Sequence, residues 1–136
     1  MADGRAHARA TVALAALSLP FALLDVRALV VGAGVLSGWA LDPDLDWNGW
    51  AGGKWRLRKL WKPLGWAWRT LWYPYEIFAA HRGISHWSVI GTLTRLLYLS
   101  PLLALWAKFG RVPWSIVGLW ALGLVLSDLL HVVMDT

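Results

Sequence analysis

The chain contains no cysteine. That absence removes disulfide staples and excludes thiolate metal sites, so any bound metal has to be held by imidazole and carboxylate. Charge is scarce too: Asp, Glu, Lys and Arg together make up 15% of the residues. No internal repeat and no low-complexity linker divides the chain, and no secretory cleavage pattern is expected, although the first apolar segment imitates the core of one. What is abundant is apolar surface, at 58% of 136 residues and a mean hydropathy of +0.50. This exceeds what an ordinary soluble domain carries and points to a single membrane-embedded unit over residues 1–136.

Four apolar segments stand out, at about 8–24, 26–41, 87–107 and 113–134. A bilayer core takes roughly 17–25 helical residues, which the last two segments supply, the first supplies marginally and the second falls short of. Asp25 and Arg27 break the first pair, and Lys108 to Pro113, with Gly110 inside, breaks the second. The expected fold is all-α: a four-helix membrane-embedded bundle of two helical hairpins with a central amphipathic segment at the interface.

That central segment, at about 54–73, follows the turn-rich DPDLDWNGWAGG. Leu57, Leu60, Trp61, Leu64, Trp68, Leu71 and Trp72 recur at helical steps, with Lys54, Arg56, Arg58, Lys59, Lys62 and Arg69 among them. Pro63 is expected to bend or break it. Interleaved cations and indoles suit either a nucleic-acid backbone or a lipid headgroup layer. The flanking apolar runs favour the bilayer and its anionic headgroups as partners over nucleic acid, and no feature specifies a protein partner. Pro74 is expected to open a short helix, PYEIFAAHR, which Gly83 closes before Ser85 caps the next. HRGISH, at 81–86, then reads as a corner between two helices.

Four spans put both termini and the central segment on one side. Arg5, Arg9, Lys54, Arg56, Arg58, Lys59, Lys62, Arg69 and Arg82 collect there, against Arg27, Lys108 and Arg111 opposite, which makes it the cytoplasmic side. Arg95 falls within the third segment.

The residues able to do chemistry are few. His131 and Asp135 in HVVMD share a helix face with Asp128, and ionisable groups in an apolar helix point to function, although a hydrogen-bonded pair at a helix end is the plainer reading. Asp44 and Asp46 alternate in DPDLD; close carboxylates call for a cation or a proton, yet the same letters also make a polar turn. DLDWNG begins like an EF-hand loop but has Trp55 where the bidentate glutamate belongs, which excludes it. His81 and His86 are either ligands or incidental to a helix break, and Arg82 between them can face a phosphate or a carboxylate. His7, in GRAHARAT, means little alone. Together these residues mean more. A topology set by hydropathy alone brings His7, Asp44, Asp46, His81, His86, His131 and Asp135 to one membrane face. Seven N and O ligands exceed the four of a tetrahedral zinc and suit a centre of two divalent ions, zinc first, with manganese and iron also compatible.

GRAHARAT, DPDLD, RLRKLWKP, WYPYEIFAAHRGISHWSVIGTLTRLLYL and HVVMD together resemble an uncharacterised bacterial family of metal-binding membrane proteins. The skeleton of N-terminal His, PDLD, HRG-x-[ST]-H and HxxxD is also similar to the broader inner-membrane metal-dependent hydrolases, and more distantly to the all-helical zinc phospholipase C and nuclease architecture. The resemblance covers nearly the whole chain. It implies that the same seven residues are the metal-site positions, in a multi-pass protein of the bacterial inner membrane. In such relatives the chain continues past the last motif, so a further element is expected beyond Asp135. The expected function is metal-dependent hydrolysis of a phosphoester-type bond at the cytoplasmic membrane surface. Arg82 would hold the substrate phosphate and Asp128 would orient His131. The alternatives are a non-catalytic metal-binding protein for storage, sensing or scaffolding, and a purely structural helical bundle.

Overall fold

Where proline stands decides how the apolar segments are cut. A computed structural model describes residues 4–42, 52–78 and 88–135, and among them every regular element is a helix. The first apolar segment folds as α1 (Gly4–Ala16) and a short α2 (Ser18–Ala22) rather than one span. Pro20 has no N–H and its ring crowds the carbonyl four residues back, at Ala16, where α1 ends. A tightened turn bridges the break: the Leu17 N–H is shared between Ala13 O and Leu14 O at 3.2 Å each, and Ser18 Oγ donates to Ala15 O at 2.7 Å. Asp25 Oδ1 then accepts from the Arg27 N–H at 2.9 Å, an Asx turn that leads into α3 (Ala28–Ser37).

The expected all-helical class is met, but of the expected four spans only two have the length for it among the described residues. The ten residues of α3 rise only about 15 Å, half of a bilayer core. Among the described residues, two helices are long and apolar enough to cross a membrane: Val89–Gly110 within α6 (Ser88–Gly110) and Trp114–Met134 within α7 (Trp114–Asp135). Their corner closes with the Val112 N–H on Ala107 O at 3.0 Å, and the left-handed residue is Arg111 (φ 51°), one position after Gly110.

The amphipathic segment becomes α4 (Gly52–Leu60) and α5 (Lys62–Phe78). They separate at Trp61 rather than at Pro63, because proline is tolerated in a first helical turn, where its missing N–H has no partner to lose. The expected separate helix from Pro74 does not form, and α5 runs through that residue to Phe78. Aromatic packing on both sides of Pro74 holds it. The fully buried Trp72 ring lies 5.3 Å from Tyr75, and the Tyr98 ring of α6 lies 5.4 and 5.6 Å from the two. Tyr75 and Thr94 share a 2.9 Å hydrogen bond between their hydroxyls, and the Tyr98 hydroxyl donates to Leu71 O. Leu41, Leu99 and Leu124 complete this core.

The α3–α7 pair meets through glycine. A Cβ on Gly34 would stand 2.9 Å from the Trp120 carbonyl carbon and 3.0 Å from Gly123 Cα; one on Gly123 would stand 2.8 Å from Val35 N. Gly38, four residues after Gly34, faces Ser127, four residues after Gly123. This is a small-xxx-small seam on both helices, the pattern that lets backbones touch where lipid supplies no hydrophobic drive. Trp120 Nε1 locks it from the side by donating to Ser37 Oγ at 2.9 Å.

The same substitution should therefore act oppositely at two glycines. Gly34→Ala is expected to lower stability by about 1–3 kcal/mol through overpacking, whereas Gly118→Ala, with nothing within 4 Å of its added carbon, should be neutral or gain up to about 1 kcal/mol. Thermal unfolding of detergent-solubilised protein followed by circular dichroism reads both; a Gly34→Ala protein melting at or above wild type would contradict the seam.

Candidate metal centre

Helical spacing lines up Asp128, His131 and Asp135 along the last two turns of α7. Packing of α1 against α3 and α7 carries His7 to the same place. The His7 and His131 rings stack with centroids 4.0 Å apart and planes 18° from parallel, and both residues are buried.

Asp128 takes a different part from the one expected of it. Instead of orienting His131, its Oδ2 receives the Arg95 guanidinium and the Thr92 hydroxyl, all three residues being almost completely buried. The reason is the cost of a buried guanidinium, which has to be met by a carboxylate and by hydrogen bonds. Arg95 spends its other donors on backbone: Nη1 on Leu41 O at 2.5 Å and Nε on Gly91 O at 3.1 Å. Asp128 Oδ1 is buried without a hydrogen-bond partner among the described residues.

Around this pair lies a second polar layer. Arg56 Nη1 donates to Asp42 Oδ2 at 2.7 Å and to Trp39 O at 2.5 Å, and Trp68 Nε1 reaches Ala40 O at 3.3 Å. With Arg95 on Leu41, three consecutive carbonyls leaving α3 are thus held by donors from α4, α5 and α6. The last carbonyls of α3 itself are taken by the turn that follows, with Val35 O, Leu36 O and Ser37 O accepting from the Gly38, Trp39 and Ala40 N–H groups, so these three lie just past the helix. Lys54, wholly buried, pairs with Glu76. Lys54 and Arg56 were expected to face lipid with the other cations of the amphipathic segment; both turn inward, because the chain buries acids opposite them. Directly after this clamp comes DPDLD.

Of the residues expected to bind metal, His7 and His131 are brought together, and Asp135 is the last residue of α7. Asp44, Asp46, His81 and His86 lie outside the described residues, as do Arg82 and the Gly83–Ser85 corner. Among the described residues no three His or carboxylate side chains converge on one point. The donors present nevertheless fit a divalent ion in kind: two buried imidazoles, and a buried carboxylate oxygen without a partner one turn away on the same helix. Sequence reasoning missed Thr92, Asp42, Glu76 and the role of Arg95. The available signal was depth. Arg95 stands seven residues after the start of α6 and Asp128 seven before the end of α7, so an antiparallel hairpin sets opposite charges level.

Comparison with known proteins gives this arrangement its context. The sequence profile of the family described as "Uncharacterized metal-binding protein (DUF2227)" matches residues 2–121. The chain belongs to that family. The match takes in His7, Asp44, Asp46, His81, Arg82 and His86, while Asp128, His131 and Asp135 lie beyond it. The family's description supplies metal binding and leaves the metal unspecified. An uncharacterized protein of Aquifex aeolicus (strain VF5) is 29% identical over 130 residues, covering 76% of this chain and 86% of the relative. No solved structure matches.

Removing one partner of the buried ion pair should be costly. Arg95→Met is expected to destabilise the protein by about 3–5 kcal/mol by stranding Asp128, and the double variant Arg95→Met/Asp128→Leu to recover most of that loss. Unfolding of the three proteins in mixed micelles with increasing SDS measures the difference; a double variant no better than the single would show that the pair is not a closed unit.

Proposed function

We propose that this chain is an integral membrane metalloenzyme that hydrolyses a phosphoester-type bond at the cytoplasmic membrane surface, using divalent ions held at the polar end of the α6–α7 hairpin. The observation that carries the reading is the buried, stacked pair of His7 and His131 in a chain whose family is metal-binding. Membrane embedding is supported by the length of α6 and α7 and by the bare outer face of α6, where Leu93, Leu97, Leu105 and Phe109 are exposed. A hairpin with the histidine end inside also leaves Arg27, Lys108 and Arg111 at the opposite end, fewer cations than the histidine end collects, in keeping with the positive-inside rule.

In this reading His7 and His131 are ligands, and Asp44, Asp46, His81, His86 and Asp135 complete the set. Zinc fits imidazole and carboxylate best, with manganese or iron as alternatives. Bound divalent ions supply a water made acidic enough to attack near neutral pH and a positive clamp on the attacked group. The chain's own residues do the rest. Arg82 binds the substrate phosphate through charge-assisted hydrogen bonds. Arg95 and the clamp on Trp39 to Leu41 hold the approach to DPDLD against α7. Burial of the histidine pair keeps bulk water from competing for the ligands.

Metal analysis of detergent-purified protein by mass spectrometry, beside hydrolysis of bis(p-nitrophenyl) phosphate and of phospholipid, tests the reading. Wild type is expected to retain at least about one equivalent of zinc, manganese or iron, and His7→Ala or His131→Ala to lose most of it together with hydrolysis. Less than roughly 0.3 equivalents in wild type would end the metalloenzyme reading. Full metal content without turnover of either substrate would replace it by the non-catalytic one.

A further inference from the structure

The cations of α4 are sorted into two sets. Lys54 and Arg56 point inward to Glu76 and Asp42, whereas Arg58 and Lys59, with Lys62 at the start of α5, line a concave elbow open to the outside. The elbow exists because Gly65 has no side chain: a Cβ there would stand 2.6 Å from the Arg58 backbone nitrogen, so any larger residue would push α5 off α4. The cavity measures about 570 Å³, and Trp55, Leu60 and Trp61 share its walls with the three cations. Among the described residues, no acidic side chain lines it.

Each wall residue matches one layer of a lipid surface. Lys59 Nζ sits 4.0 Å above the centre of the Trp55 ring, which anchors the ammonium while leaving its N–H groups to an outside acceptor. Trp61 is 63% and Leu60 68% exposed, at the very turn where the cations gather. Indole is favoured at the headgroup level of a bilayer, an aliphatic side chain just beneath it, and Lys and Arg beside its phosphates. Nucleic acid uses the cations but not the rest: the Trp55 face on which a base would stack is covered by Lys59, and Leu60 offers a base edge nothing.

We infer that the α4–α5 elbow binds the phosphate-bearing headgroup of an anionic phospholipid from the bilayer in which the chain sits. The inference rests on the membrane placement proposed above and not on the metal centre, so a protein stripped of metal still tests it.

The experiment is native mass spectrometry of the full chain in detergent with equal amounts of dioleoyl phosphatidylglycerol and dioleoyl phosphatidylcholine. Each cation near an anionic surface gives roughly a fivefold preference, so Lys59 and Lys62 alone predict an excess of phosphatidylglycerol adducts on the order of 25-fold. In Arg58→Gln/Lys59→Gln/Lys62→Gln the excess should fall below about fivefold, with helicity and bound metal unchanged. Should that variant lose helicity, Lys62→Gln alone, on an exposed side chain, carries the test with a roughly fivefold reduction. The control Lys108→Gln/Arg111→Gln should keep the preference. No lipid preference in wild type, or equal loss in the control, would overturn the site. So would displacement of phosphatidylglycerol by millimolar inorganic phosphate, which marks a free-anion site, or by a short single-stranded oligonucleotide, which marks a nucleic-acid surface.

Discussion

A guanidinium buried among apolar helices has five N–H groups and a full charge to satisfy without water. Arg95 meets the charge and engages all three of its nitrogens from three parts of the chain: Asp128 on α7, Gly91 one turn back on α6, and the Leu41 carbonyl beyond the end of α3. That requirement fixes the depth of α6 against α7, since sliding either helix by one turn would separate the charges by about 5.4 Å. It also docks residues 39–42, whose neighbouring carbonyls are taken by Arg56 and Trp68. One cation thereby registers the hairpin, and the stretch it registers leads straight into the aspartates expected to bind metal.

The glycine seam works on a different term of the energy. Where helices face lipid, as proposed for this chain, the hydrophobic effect between them is nearly spent, because a hydrocarbon tail is as apolar as leucine, and close approach of backbones replaces it. Gly34 and Gly38 against Gly123 and Ser127 provide that approach, and it places the short α3 where its end can reach Arg95. The Tyr75, Trp72 and Tyr98 cluster does for α5 what glycine does for α3, with large rings filling a gap instead of small residues closing one.

Much of this was legible in the sequence, and the exceptions have physical causes. Helical class, the α6–α7 hairpin and the Lys108–Pro113 corner follow from hydropathy and breakers, which act locally. The gathering of His7 and His131 at one place was expected from four spans, whereas it comes about by the packing of α1 against α3 and α7. Hydropathy misjudged the first segment because it is blind to Pro20, whose effect is steric; the break expected at Pro63 falls two residues earlier, at Trp61, and the one expected at Pro74 is removed by aromatic packing. Charge identity misled at Lys54 and Arg56, since a cation's direction depends on where the chain has buried Glu76 and Asp42, and that is set by tertiary contact. For the same reason Asp128 reads from sequence as a helper of His131 and serves instead as the counterion of Arg95.

The stacked histidines also bear on how the protein is made. His7 lies on α1 and His131 on α7, so their ring contact joins residues far apart in sequence, and closing it comes after the local contacts have formed. Every earlier step, including setting α6 beside α7, can proceed with the first histidine waiting. Completion of the ring pair therefore reports that α1 and α7 have both arrived, which makes this corner a late contact of the fold rather than a nucleus for it.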